Sequence, residues 1–244
     1  MEMPCHVSAP IALVLLPCCK DKKIGKEVSE GSEIPGISSL RESLLKLIAN
    51  TPKLADRREN RQGILNPQAP RTYARELYCG DLYKACTKAL VNSHPNLQIL
   101  IVSAFYGLVC LEESVSQYDL TMADRLCDGR LIYQFWKDAG LSKLLRQYIG
   151  DHNISHVWSL LPDASITPYH RVFREFWQNS GGVECRWVKV FRDDGTSVGS
   201  GSGRKRGEWL NEITSADVAL LCKPAAMPNK LPKISNFRFR YEKV

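Results

Sequence analysis

No stretch of this chain reaches the roughly 18–20 consecutive apolar residues a helix needs to cross a bilayer, so a membrane partner is not expected. Its nine cysteines are odd in number, form no CxxC pair and show none of the usual zinc spacings. Free thiols in a reducing compartment fit that pattern better than a disulfide framework. There is no GxSxG nucleophile elbow and no internal repeat. A leader peptide is not expected either. The apolar run at residues 11–16 is short, Glu2 but no Lys or Arg precedes it, and Pro17 stands where cleavage needs a small residue. A cytoplasmic protein is the expectation. What is present is ordinary globular material, 44% hydrophobic and 24% charged over 244 residues. Lys and Arg exceed Asp and Glu by 33 to 26, a net charge of +7 that permits a polyanionic partner without requiring one.

Strand and helix patterns alternate along the chain. Residues 11–16, 97–103, 154–161, 185–191 and 217–221 read as strands, the first three being apolar runs of the kind buried on both faces. Ser39-Leu-Arg-Glu42 has the form of a capping box opening a helix with Leu40, Leu44, Leu47 and Ile48 on one face. Helices are also expected over 72–90, over 130–149 with a break at Gly140, over 166–179 and over 205–213. Residues 50–70 read as a surface excursion, 107–119 as a loop, and the glycine-rich 195–203 and the tail after Pro224 as mobile. The predicted class is α/β, a three-layer core with a largely parallel or mixed sheet. It comprises one domain over 1–222 with an insertion at about 24–71, and a basic tail over 223–244.

Four loops carry candidate chemistry, each at a strand end or helix start, where open α/β sheets gather their sites. In Pro17-Cys-Cys-Lys-Asp-Lys-Lys23, a thiol among lysines is placed for a lowered pKa, and Lys22 and Lys23 for phosphate; a buried cysteine with a solvated turn is the plain alternative. In Ser103-Ala-Phe-Tyr-Gly-Leu108, followed by Tyr118-Asp119, Ser103 and Tyr106 suit a pocket for a flat ligand, with Gly107 allowing close backbone approach; core packing and a turn are the alternative. In the stretch ending Pro168-Tyr-His170, Asp163 or Ser165 is placed to cap a helix, with Tyr169 and His170 directed into one cleft. Arg204-Lys-Arg206, at a helix start, suits phosphate oxygens or is simply a solvated face. Gly140, in Ala-Gly-Leu-Ser-Lys143, suggests a hairpin presenting amides to a phosphate. His152 and His156 stand four apart but lack a third ligand, so no metal and no other cofactor is expected.

These loops, in this order, resemble the YaaA family of peroxide-stress proteins and a group of smaller relatives known only as a domain of unknown function. Cys19-Lys-Asp-Lys-Lys23 is similar to the family's cysteine-and-lysine loop, and the helix carrying Leu77-Tyr78 to its Ala-x-x-Leu-Tyr motif. Ser103 to Leu108 with Tyr118-Asp119 resembles its Ser-Ala-x-x-Gly-Leu and Tyr-Asp elements, and Arg204 to Gly207 its late Lys-x-x-Arg-Gly. The likeness covers the first strand and about 72–210, leaving 24–70 and the tail outside it. It implies a cytosolic α/β protein and, in the YaaA branch, DNA binding and protection of DNA from oxidative damage. A central domain of archaeosine synthase is similar too, which implies a base-recognising pocket.

Three readings follow. In the first, the protein binds nucleic acid, DNA rather than RNA, or a nucleotide or nucleoside. Lys22, Lys23, Arg204, Lys205 and Arg206 then meet phosphate, and Cys19, Tyr78, Tyr106, Gly107, Tyr118 and Tyr169 line the pocket. In the second it is an enzyme cleaving or forming a glycosidic bond, with Asp119 as general base or stabilising positive charge on the sugar, Ser103 and Tyr106 orienting the base, and Lys22 or Lys23 holding a phosphate. In the third the motifs only stabilise an interaction module. The oligomeric state is left open.

Overall fold

The computed structural model describes residues 10–29, 31–92, 94–162, 167–196, 198, 202–224 and 237–243. The chain enters through β1 (Ile11–Pro17), whose inner residues from Ala12 to Leu16 have no accessible surface. An apolar run buried on both faces is what a central parallel strand requires. After the polar stretch come α1 (Ser38–Ala49), α2 (Pro52–Ala55) and α3 (Arg58–Gln62). β2 (Arg71–Tyr73) leads into three short helices, α4 (Ala74–Leu77), α5 (Asp81–Ala85) and α6 (Thr87–Val91). β3 (Leu97–Ser103), β4 (Gly107–Cys110) and β5 (Ser114–Ser116) precede the helix pair α7 (Ile132–Asp138) and α8 (Leu141–Asp151). Then follow β6 (Ile154–Ser159), α9 (Pro168–Val172), α10 (Arg174–Gln178), β7 (Glu184–Arg192) and α11 (Ser202–Ala216). A 3-10 turn, Val218–Cys222, and β8 (Phe237–Lys243) come last.

Among the described residues, six strands form one sheet in the order β4-β3-β1-β6-β7-β8. β3, β1, β6 and β7 run parallel, while β4 and β8 pair antiparallel at the two edges. The expected α/β core with a mixed sheet is therefore the fold adopted. β2 and β5 form a separate antiparallel pair. The chain leaves β1 towards β3 and leaves β6 towards β7, so their outgoing loops diverge at a topological switch point beyond the carboxyl ends of β1 and β6, the place where open sheets of this kind form their crevice. No helix among the described residues is long and apolar enough to cross a membrane.

Several elements depart from their sequence expectation. The capping box does not form: α1 starts at Ser38, its N-cap is Ile37, and the Ser38 hydroxyl donates to Glu33 at 2.9 Å instead. Residues 50–70 are not a surface excursion, because Leu54 and Asn60 are buried against the body of the protein. The single helix expected over 72–90 is broken, since Tyr78 pairs in a bridge with Lys22 and Gly80 lies against Cys19. Residues 107–119 hold two strands, recruited by β3 and β2. The helix expected over 166–179 breaks at Phe173 into α9 and α10. Residues 217–221 are not a strand: the Asp217 carboxylate accepts from the Ala219 amide at 2.9 Å, and the 3-10 turn so capped places the Leu221 carbonyl against the Trp158 indole N–H at 2.8 Å. The tail contributes β8, and the helix α11 begins inside the segment read as a mobile glycine loop. Asp163, Ser165 and most of residues 197–201 and 225–236 lie outside the described residues.

Candidate functional site

The crevice draws its side chains from four places. Cys18 and Cys19 leave β1, Ser103 ends β3, Tyr78 follows α4, and Tyr169 lies on α9 after β6. The Cys18 thiol and the Tyr169 hydroxyl meet at 3.1 Å, closing the floor between the two diverging loops. Tyr118 holds the other side: its hydroxyl lies 2.7 Å from Ser103 Oγ and 3.1 Å from the Tyr78 hydroxyl. Ser103 Oγ also accepts from the Tyr106 amide at 3.0 Å. Lys22 stands over the Tyr118 ring, 4.2 Å from its centroid, and donates to the Cys19 carbonyl at 2.8 Å. Burial lowers the Lys22 pKa, while Cys18, Cys19, Asp119 and Asp21 pull it back up. Tyr78, Tyr118 and Tyr169 are pushed well above the ordinary phenol value by burial, so they are neutral hydrogen-bonding groups at pH 7.

The lowered thiol pKa expected in this loop is not found at Cys19. Burial pushes that thiol up to about 11, although the Gly80 amide donates to it. Ser103 is wholly enclosed, which makes it a positioning hydroxyl rather than an accessible nucleophile. Tyr106 is buried, and its hydroxyl both accepts from the Ser116 amide at 2.7 Å and donates to the Ser116 carbonyl at 3.1 Å. Gly107 has φ +70°, and the space a side chain would need is taken by the Trp136 indole, 3.0 Å from an ideal Cβ. Lys23 is exposed, and its amide donates to the Leu77 carbonyl. Asp119 and Asp21 are the accessible carboxylates near Lys22. The Asp119 peptide is held on both sides by Asn60, from Oδ1 at 2.7 Å and from Nδ2 at 3.1 Å. Its side chain is 41% exposed, with Arg57 Nε at 3.9 Å.

The basic run does not form one patch. Arg204 and Lys205 both pair with Glu208, at 3.1 and 2.7 Å, whereas Arg206 is buried and donates to the Val188 carbonyl at 3.1 Å. Gly207 beside it has no room for a side chain, since a Cβ would fall 2.3 Å from the Leu82 carbonyl oxygen. Arg206 and Gly207 therefore dock α11 on α5 and β7. Tyr169 and His170 also separate: Tyr169 faces Cys18, but His170 turns to a different cleft beside Trp187. His152 stacks on Tyr148, while His156 faces Glu184 at 3.4 Å, so the two do not converge. No group of three or more His, Cys, Asp and Glu suited to a metal is found among the described residues.

The helix pair is the clearest external feature. α7 and α8 are joined by Ala139 and Gly140, the latter left-handed at φ +83°. Lys137 and Lys143 are exposed around this turn, while Arg146 donates to the Asn179 carbonyl at 2.7 Å. Leu141 and Ser142 begin α8 and are both buried, so the exposed part of the turn is its flanking lysines.

A family model described as peroxide stress protein YaaA matches residues 34–231, most of the chain. The chain belongs to that family. A search of curated proteins found no significant match. The matched span includes residues 34–70, which the motif likeness had left outside, and the structure gives that segment work to do. Arg41 on α1 is buried, donates to the carbonyls of Tyr106 and Leu108 at 2.9 Å each, and pairs with Glu113. Arg57 grips Asp124 with two bonds of 2.8 and 2.9 Å and also donates to the Asp119 carbonyl. Sequence reading missed both arginines and Asn60. A signal did exist for Arg41, which lies three and seven residues before Leu44 and Ile48 and so on the buried face of α1. Tyr83, also missed, stacks on Tyr78 and donates to the Pro17 carbonyl at 2.8 Å.

Proposed function

We propose that this member of the peroxide-stress family binds DNA in the cytoplasm and protects it under oxidative stress, with the α7–α8 hairpin as the element that meets the phosphate backbone. The observation carrying this reading is the left-handed turn at Gly140, which joins α7 to an eleven-residue helix with Lys137 and Lys143 exposed on either side of it. Helix N-termini and flanking cations suit phosphate oxygens. The net charge of +7 favours the same partner, and the free state of all eight described cysteines fits a reducing compartment. The test is fluorescence anisotropy of a labelled duplex across a salt series. Affinity is expected to fall steeply with salt, and Lys143→Ala to weaken binding to all sequences while reducing the log–log salt slope by about 1. Salt-insensitive binding, or a Lys143→Ala variant indistinguishable from the parent, contradicts the reading.

A second reading rests on Asp119. It is a half-exposed carboxylate close enough to Lys22 to act on its charge, directly after the buried Tyr118. That arrangement suits an enzyme acting on the glycosidic bond of a nucleoside or modified base. Chromatography of a duplex or nucleoside incubated with the protein decides it. Release of a base that Asp119→Asn abolishes supports the enzyme, and no release dismisses it.

A further inference from the structure

On the far side of α9 from the crevice lies a second cleft of about 800 Å³, between α7, α9, α10 and β7. That size is within the roughly 300–1,000 Å³ of small-ligand sites. Two features set it apart. Three residues on its wall carry ring nitrogens that are buried and have no partner among the described residues: His170 Nε2, Trp177 Nε1 and Trp187 Nε1. His170 is only 4% exposed, and its ring lies on Trp187 with centroids 3.6 Å apart. Buried N–H groups without acceptors are costly, and indole nitrogen can only donate. The rim carries Lys137, Arg171 and Arg174, with Arg130 paired to Asp128 at 2.7 Å and Asp138 at 3.5 Å and Arg171 donating to the Tyr133 hydroxyl at 3.1 Å.

We propose that this cleft binds a nucleotide, with the base against Trp177 and Trp187 and the phosphate on Arg171 and Arg174. Flat aromatic walls suit a planar ligand, and one that reached the buried ring nitrogens would meet their unpaired N–H groups with acceptor atoms. Planar guanidinium groups match phosphate oxygens in pairs. His170 stays neutral at pH 7, because burial, with Arg206 and Lys189 nearby, lowers its pKa to about 3. The ring is thus an apolar and hydrogen-bonding wall, and the cation charge stays at the rim. The choice of a nucleotide over another aromatic anion rests on the nucleic-acid reading, since Arg130 and Lys137 flank the same helix that leads into the hairpin.

The test titrates the full chain with deoxyadenosine monophosphate, deoxyadenosine and inorganic phosphate, reading tryptophan fluorescence, beside duplex anisotropy in the same buffer. The monophosphate is expected to give a saturable quench that Trp187→Phe largely removes. Arg174→Ala, at an exposed position, is expected to weaken the monophosphate about tenfold, the scale of one charge-assisted contact. A duplex with one unpaired adenine, bound more tightly than its paired parent in the native protein but not in Arg174→Ala, identifies a strand-borne nucleotide. Monophosphate binding without that preference identifies a free one. Duplex binding with no monophosphate quench overturns the cleft and leaves the DNA reading standing. Phosphate competing as well as the monophosphate overturns base recognition. Binding of neither duplex nor monophosphate removes both.

Discussion

At the residue scale, the decisive positions are those where a side chain holds a loop rather than touches solvent. Gly107 combines a positive φ with a contact that leaves no room beside Trp136. Gly107→Ala is expected to cost about 1–3 kcal/mol in urea unfolding, through strain and overpacking together; an unchanged midpoint contradicts this. His170 gives a second handle. Its folded pKa of about 3 lies below the ordinary value of 6.5, so as pH falls through that interval the unfolded chain takes up the proton first. The stability this group contributes is present above about pH 6.5 and is lost progressively towards pH 3. His170→Gln should flatten the melting temperature against pH over that window, and parallel profiles for variant and parent would show the assignment to be wrong. The site residues were legible as types, but their directions were not. Ser103, Tyr106 and Arg206 were read as facing ligand because strand ends and basic runs commonly do. In the fold they are buried by partners distant in sequence, Tyr118, Ser116 and Val188.

At the scale of elements, the segment from α1 to α3 acts as a clamp on the Ser103–Asp119 loop. Arg41 fixes its first half and Asn60 its last. Asn60→Ala removes three hydrogen bonds from a buried amide side chain, two of them to the Asp119 peptide. The expected loss is roughly 1–3 kcal/mol in unfolding, with faster hydrogen exchange at the Asp119 amide. Unaltered exchange there would place the clamp elsewhere. β1 and β3 could be read from sequence because a doubly buried strand leaves a nearly continuous apolar run. The α7–α8 pair could be read because Gly140 interrupts an amphipathic pattern. The broken helix over 72–90 could not. Its apolar spacing is helical, and only the approach of the Cys19 loop to Tyr78 and Gly80 opens it. Short edge elements such as β4, β5 and β8 escaped for a related reason, since their pairing depends on a partner strand rather than on their own pattern.

At the scale of the whole molecule, divergence of the loops after β1 and β6 makes the crevice, and β8 finishes the sheet at the other end. β8 pairs with β7 along its length, and Tyr241 takes the Trp209 indole N–H at 3.1 Å while lying edge-on to Trp158. Removing residues 237–244 bares the edge of β7. The truncated protein should melt at lower temperature and self-associate in light scattering; a monodisperse protein of unchanged stability would contradict that role. The matched family span and the motif likeness agree on the family, and the hairpin is the surface proposed to meet DNA. The most direct measurement is hydrogen–deuterium exchange of the full chain with and without a DNA duplex at low salt. Slowed exchange in residues 139–146, at the turn and first amides of α8, is the predicted result. Binding that leaves this hairpin unprotected, with protection confined to the exposed face of α11 around Arg204 and Lys205, would contradict the account.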